Sequence, residues 1–425
     1  MVCDCRGVGS TEHYRAMGRS GRVAFLMGVV LEMILRVSAQ IDPTARELIQ
    51  MGYTQPFEGR GPLAAYGYYY RNKPDWLDHT NLTLRLVVAP VYLDSELGFK
   101  GLLGPGTDVG VGVAGGGFAD SYSEVRHGKY HRDESFLGHG GELSASVYHL
   151  LNPTARIPLC AMLRGSAHGS VFTDDEKTAD DFELPDDQFS FRVRTGLRWG
   201  GREPVLTPEL AMEVSVWYEG FFRLQPGRYG YNGDRELQSR SHWVWGRALL
   251  DYTLPELKHG FGVAVTGGTG FDLDRLSAHR LGGDLPLCSE FPLMLPGYYF
   301  EELSAESFVL FGGNYHLPLD SRQCWQVGAS AATAWTDYLA GFELSNRWNT
   351  GVGGGLLYRS PTGSWQLALQ YGYAFNAVRD HSRGAQSLTF LLQFDLGRTR
   401  ERFFAPNIDL NRARGLQSIL KTIFQ

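Results

Sequence analysis

The chain is expected to be all-β: a transmembrane antiparallel β-barrel of 14–16 strands, with one long loop folded inward and a short C-terminal tail. Three observations predict this. The first is alternation. In 364–376, SWQLALQYGYAFN, residues Trp365, Leu367, Leu369, Tyr371, Tyr373 and Phe375 share one face, and Gln366, Ala368, Gln370, Gly372, Ala374 and Asn376 share the other. A strand with two unlike surroundings must alternate in this way. Alternation alone also fits a soluble sandwich. The second observation is length. The periodic segments run to 12–16 residues, against about 5–6 for soluble strands and about 9–11 for a tilted membrane crossing. The third is the sorting of the connections, which alternate between long and short. Outer-membrane barrels have short turns at one mouth and long loops at the other.

Composition agrees. The 425 residues include 53 Gly and are 13% aromatic, which suits many strands joined by tight turns. A net charge of −6 gives no reason to expect nucleic acid as a partner. Beyond the N-terminal run, no window offers the roughly 20 apolar residues of a membrane helix. A mean hydropathy of −0.22 is compatible with a barrel, because only alternate residues meet lipid.

The elements follow in order. Arg19 and Arg22 precede the apolar run 23–35, and Val37-Ser38-Ala39 offers small residues before Gln40. This predicts a signal peptide over 1–39, with translation starting at Met1 or at Met17. Glu32 interrupts the run, and a buried soluble helix is the competing reading. Residues 40–61 read as a short periplasmic segment, 62–396 as the barrel and 397–425 as a periplasmic tail. Cys160, Cys288 and Cys324 would remain after cleavage; an odd, scattered set makes neither a disulfide framework nor a zinc site.

Strands are expected at 62–71, 81–93, 107–118, 139–149, 156–171, 188–200, 207–222, 239–253, 258–272, 299–317, 322–336, 346–359, 364–376 and 385–396. Segment 95–103 is the uncertain addition. The long connections are 119–138, 172–187, 223–238 and 273–298, with 337–345 and 377–384 more modest. Trp199, Trp217, Trp335 and Trp348 lie near strand ends, where interfacial girdles form.

One hairpin shows the lumen chemistry. Arg192, Arg194 and Arg198 alternate with apolar residues, as do Glu209 and Glu213 on the next strand. A turn centred near 203–204 would set Arg198 opposite Glu209 and Arg194 opposite Glu213. Opposed charges stabilise an antiparallel pair and are costly toward lipid, so they would line a wet lumen. A solvated outer face of a soluble sheet is the alternative. Further on, Gly328, Ser330, Ala332, Ala334, Gly351, Gly353 and Gly355 share inward positions. They leave volume for an inward loop, or simply allow bending and close strand approach.

Residues 280–319, RLGGDLPLCSEFPLMLPGYYFEELSAESFVLFGGNYHLPL, supply the loop. Arg280, Gly282 and Gly283 open it, and Leu295-Pro296-Gly297-Tyr298 form its tip. This stretch resembles the bacterial surface antigen superfamily, which includes barrel-assembly proteins and two-partner secretion transporters. The resemblance covers roughly 258–396: a strand, the long loop, then five strands. It implies a loop folded into the lumen, with Gly297 and Tyr298 carried over.

Three departures stand out. The family's tip arginine, which pins the loop to the wall through a carboxylate, is replaced by Pro296. The stretch between Gln40 and the first expected strand is too short for the family's periplasmic domains. Residues 397–425 continue past the last strand, with Leu410, Ala413, Leu416, Leu420 and Ile423 at helical spacing. A short amphipathic helix and a frayed tail are both open readings.

Enzyme-like signals are thin. His168 and Ser170 sit two apart on one strand face, without an evident third partner. His127, His131 and His139 with Glu124, Asp133 and Glu134 fit a metal or an ordinary polar loop. The acidic run Asp174, Asp175, Glu176, Asp180, Asp181, Asp186 and Asp187 fits solvation, or cations bridging lipopolysaccharide phosphates. Gly115–Gly117 lack the Lys-Ser/Thr of a phosphate loop.

The resemblance implies translocation or membrane insertion of protein or lipid through a loop-gated lumen. It implies no catalysis and no cofactor. The expected partners are outer-membrane lipid, including lipopolysaccharide, and an unfolded protein or lipid client; the expected location is the outer membrane of a Gram-negative-type bacterium. A passive pore or anchor is the second hypothesis, and a barrel hydrolase the third.

Overall fold

The structure, a computed structural model, describes residues 44–398 except 154, 156, 209, 255, 258, 380 and 381. The expected signal peptide and almost all of the expected tail therefore lie outside the described residues, as does Glu209.

The strands are β1 (Arg46–Pro56), β2 (Ala64–Pro74), β3 (Leu82–Ala89), β4 (Tyr92–Phe99), β5 (Thr107–Gly116), β6 (Tyr122–Arg126), β7 (Lys129–Leu150), β8 (Leu159–Asp174), β9 (Phe182–Glu183), β10 (Gln188–Gly201), β11 (Leu210–Arg223), β12 (Arg228–Tyr231), β13 (Arg235–Glu236), β14 (Arg240–Thr253), β15 (Gly260–Phe271), β16 (His279–Leu281), β17 (Leu303–Pro318), β18 (Trp325–Tyr338), β19 (Trp348–Arg359), β20 (Trp365–Arg379) and β21 (Ser382–Asp395). All but β6, β9, β12, β13 and β16 form a closed sixteen-stranded antiparallel barrel. Closure is made by β1 and β21, which pair continuously from Leu48–Asp395 to Pro56–Ser387.

Sixteen falls within the expected 14–16, and two differences separate it from the fourteen segments assigned above. The barrel begins at β1, inside the segment assigned to the periplasm, and not at residue 62. The expected strand 81–93 is two strands, because the chain reverses at Pro90-Val91 between β3 and β4. Proline cannot donate to a ladder, so it sits at the reversal.

The faces decide the class. Gln50, Arg85, Glu96, Glu213, Arg247, Gln366 and Gln393 are buried, whereas Leu143, Leu163, Val214, Phe189, Val263 and Leu369 are exposed. A soluble sheet would reverse this pattern. A barrel with an apolar belt and a polar interior requires it.

The connections sort between two mouths. One mouth carries 75–81, 100–106, 151–158, 202–209, 254–259, 319–324 and 360–364, together with both ends of the barrel. The other carries the longest loops, plus a tight reversal at 90–91 and the short link between β20, which ends at Arg379, and β21, which starts at Ser382. This link replaces the longer connection expected over 377–384. At this second mouth β9, β12 and β13 form a small sheet. Tyr122, Phe136, Phe182, Tyr229 and Leu237 pack beneath it. Buried ion pairs Arg223–Asp274 (2.5 Å) and Arg275–Glu124 (2.5 Å) tie the loops together. The result is a cap over the lumen.

Candidate functional site: the inward loop and its seat

The connection 272–302 between β15 and β17 enters the barrel. It first adds β16 to the edge of β17, with Leu281 opposite Leu303. Gly282 (φ +134°) and Gly283 (φ +85°) then turn the chain inward through conformations that disfavour a side chain. Gly282 N–H donates to Leu293 O (2.9 Å) and Leu295 N–H to Gly283 O (3.1 Å), which closes the loop on itself.

The tip rests on the wall built from small residues. A Cβ at Gly351 of β19 would collide with the Pro296 carbonyl, and one at Gly297 (φ +82°) with the β20 backbone at Tyr373–Ala374. The expectation that these glycines leave room for the loop therefore holds at Gly351. Tyr298 is buried, and its hydroxyl donates to Asn349 Oδ1 (3.4 Å). Asp284 receives the Gly297 N–H (3.3 Å) and the Ser387 hydroxyl (3.0 Å) from β21. Burial without a cation pushes the Asp284 carboxyl above its ordinary pKa, against the pull of those two hydrogen bonds.

Arg280 does not reach the lumen wall. Its guanidinium donates to Ser123 O (2.6 Å) and Glu301 O (3.0 Å), tying the loop's start to the cap. The loop's return is held by Glu302, which receives two bonds from Arg379 of β20, both 2.7 Å. Arg379 also lies 3.6 Å from the Tyr299 ring centroid. Here the arginine stands on the wall and the carboxylate on the loop, the reverse of the family's lock, which Pro296 rules out at the tip.

Midway, Glu290 pairs with Arg198 (2.9 Å) and lies 3.7 Å from Arg194. Phe291 packs on Trp245 (4.5 Å between rings) and beneath Arg247 (4.3 Å). Leu285, Leu287 and Cys288 join a cluster with Leu48, Tyr66, Tyr68 and Leu391. The loop thus touches opposite sides of the lumen, from β10–β14 to β1, β2 and β19–β21.

The charged hairpin lines the lumen, but in another register. Arg194 faces Glu219 (2.9 Å), not Glu213. Arg198 faces Ser215 and bonds Glu213 diagonally (2.8 Å). Glu213 is shared with Arg247 (2.8 Å). The difference arises because the turn is not centred at 203–204: residues 202–208 form a longer connection that reaches into the mouth.

His168 and Ser170 do acquire partners. Asp120 Oδ2 accepts from Ser170 Oγ (2.7 Å) and contacts His168 Nε2 (2.7 Å), while Glu142 lies 3.6 Å from His168 Nδ1. Burial pushes Asp120 up, yet the His168 and Ser170 hydrogen bonds and the Arg192 charge outweigh it and hold its pKa at about 2. The serine proton points to a carboxylate, and the imidazole lies between two carboxylates. His168 Nε2 also lies 3.1 Å from Ser170 Oγ, so Asp120, Glu142, His168 and Ser170 form one polar network across the wall. It borders a cavity of ≈ 450 Å³ between loop and wall, edged by Arg192, Trp243, Trp245 and Phe291. Among the described residues, no three His, Cys, Asp or Glu gather as metal ligands.

The architecture has solved counterparts. CdiB from Acinetobacter baumannii aligns with TM-score 0.51 at 10% identity, over 82% of this chain and 60% of that one. CdiB from Escherichia coli aligns with TM-score 0.51 at 11% identity, over 84% and 64%. A crystal structure of BamA from Haemophilus ducreyi lacking POTRA domains 1–3 aligns with TM-score 0.50 at 11% identity, over 82% and 70%. This chain shares the barrel fold of these CdiB and BamA structures. It spans about 60% of the length of the first CdiB chain. No protein-family profile and no curated protein sequence matches it. Five barrel strands follow the inward loop, β17 to β21, as the sequence resemblance implied.

Sequence reasoning missed Glu302, Arg379, Asp284 and Glu290. Glu302 and Arg379 lie 77 positions apart, so nothing local marks them as partners. Asp284 and Glu290 had a usable signal: each is a lone carboxylate in an otherwise apolar inward loop.

Proposed function

We propose that this protein is an outer-membrane barrel of a Gram-negative-type bacterium. It takes part in translocating or inserting polypeptide, or lipid, through a lumen that its own loop holds shut. The observation that carries this reading is the seat of the loop. Residues 284–302 cross the lumen, are anchored at Glu290, Pro296–Gly297 and Glu302, and rest on a wall of small residues. A loop fixed by a few discrete polar contacts can be released without dismantling the barrel. The fold shared with CdiB and BamA supports the same reading. Its partners would be outer-membrane lipid, lipopolysaccharide included, and an unfolded client. Arg194, Arg198 and Glu213 would hold the loop through Glu290; Arg280, Gly282, Gly283, Gly297 and Tyr298 would set its path.

A passive pore fits less well, because segments enter the lumen from both mouths. An anchor draws support from the continuous β1–β21 ladder, which gives no sign of a weak seam. Channel recording in planar bilayers separates the readings, comparing the intact protein with a variant lacking Asp284–Tyr298. The translocation reading expects a nearly closed parent and an open variant. Equal conductance would remove it.

A further inference from the structure

The connection between β10 and β11 behaves unlike a turn. Residues 202–208 fold up into the inner mouth and cross to the far wall, where β1, β19, β20 and β21 meet. There the segment is gripped by its backbone. The Gln50 side-chain amide donates to Pro204 O (2.6 Å), and Leu206 N–H donates to Gln393 Oε1 (3.0 Å). Gln50 also donates to Gln393 Oε1 (3.0 Å), so the two read the strap as a unit. Arg359 donates to Thr207 O (3.3 Å), and the Thr207 hydroxyl donates to Gln366 Oε1 (2.8 Å).

These glutamines are buried on lumen-facing positions of separate strands. A buried amide must find both donors and acceptors. Here the strap supplies part of each set. Val205 and Leu206 meanwhile pack into the cluster of Leu48, Tyr66, Tyr68 and Leu391. The strap reads Glu-Pro-Val-Leu-Thr-Pro. Its prolines fix φ at 204 and 208 and remove donors that the wall does not meet, and the Val205 N–H turns back onto Glu203 O (2.8 Å), so the strap is bent and non-helical. The bonds from Gln50, Gln393 and Arg359 reach backbone carbonyls or an amide, and the side-chain bonds are those of Thr207 Oγ and an exposed Arg46–Glu203 pair (3.0 Å), so the buried part of the seat depends little on sequence beyond two adjacent apolar residues.

We propose that this inner-mouth groove is a binding site for a non-helical stretch of unfolded polypeptide, which residues 203–207 occupy as a tethered part of the same chain. The ligand class is an unfolded segment with two neighbouring apolar residues, held through its backbone by Gln50, Gln393 and Arg359. The proposal rests on the translocation reading and names its client: polypeptide, rather than lipid.

The test uses fluorescence anisotropy with a labelled synthetic peptide of the sequence of residues 202–208. Two forms of the full-length barrel have the groove emptied. One replaces Glu203–Thr207 by glycines; the other carries Val205→Ser and Leu206→Ser and keeps the strap's length. A tethered occupant competes at an effective concentration of about millimolar. The parent should therefore bind the peptide at least about tenfold more weakly than the emptied forms. Gln393→Ala in an emptied form should weaken binding about fivefold, the loss of roughly one hydrogen bond. A peptide with Ser-Ser in place of Val-Leu should not bind saturably.

If neither emptied barrel binds saturably while both keep the heat-modifiable gel mobility of a folded barrel, the groove is refuted. Equal binding of the Ser-Ser peptide refutes it too. Polypeptide transport into liposomes without any peptide binding would leave the translocation reading standing and remove the groove. Saturable binding without transport would keep the groove and remove translocation.

Discussion

Arg379→Ala should open the channel. Arg379 and Glu302 are both nearly fully buried, with side-chain exposures of 3% and 1%. They share two hydrogen bonds of 2.7 Å, and the Tyr299 N–H also donates to Glu302 (2.7 Å). Removing the arginine strands a carboxylate away from water. Breaking a buried pair from one side costs about 3–5 kcal/mol. The loop can escape that cost by lifting Glu302 into solvent. The open-to-closed ratio should then rise by roughly two to four orders of magnitude. The assay is open probability in planar bilayers, with Glu302→Ala as the reciprocal single variant. Removing both partners leaves no stranded charge, so the double variant should be more closed than either single one. An Arg379→Ala channel as closed as the parent would refute the reasoning. So would a double variant at least as open as the singles.

Three other outcomes are expected. Gly351→Val places a side chain where the Pro296 carbonyl lies; overpacking of about 1–3 kcal/mol should dislodge the tip, raising conductance with strand content by circular dichroism unchanged. The Asp284 pKa is raised in the docked loop, so the protonated form favours docking. That stabilisation is complete below the ordinary carboxylate pKa of about 4 and is lost as pH rises through the raised value. Open probability should climb across that window, and Asp284→Asn should flatten the dependence; an unchanged pH profile in Asp284→Asn would assign it elsewhere. The Thr54 and Thr389 hydroxyls lie 2.8 Å apart across the β1–β21 closure. Cysteines at both positions, oxidised, should abolish insertion of a client if the closure must part, while leaving conductance of the loop-deleted form intact. Insertion that survives the cross-link would show that the lumen alone suffices.

Much of the wall was legible because lipid on one side and polar groups on the other force a period of two. β20 is the clear case: outward Leu369, Tyr371 and Phe375 contrast with inward Gln366 and Ala368. β1 was illegible for the converse reason. Its sequence RELIQMGYTQP sets Met51 and Tyr53 outward and Gln50, Gly52 and Thr54 inward, with Arg46, Glu47 and Gln55 blurring the contrast. Pro90 was a visible sign that 81–93 had to break, since a ladder cannot use a residue without an N–H. The Arg-Glu register failed on a subtler point. Gly200-Gly201 and Pro204 read locally as a tight turn, whereas the segment after Gly201 is drawn out by glutamines on the opposite wall. Such long-range attractions leave no periodic trace. The loop's glycines were legible because backbone geometry is local; its ionic anchors were not, because their partners are set by closure of the barrel.

The apolar cluster that receives Leu285 and Leu287 from above also receives Val205 and Leu206 from below. Two segments that share one set of neighbours cannot be energetically independent. Whatever free energy the loop's seating lends to the strap, the strap's seating must return to the loop in equal measure. A ligand arriving at one face of the membrane would therefore be felt at the other, with no moving rod between them. The barrel would work as a two-sided lock in which each bolt is part of the other's keeper.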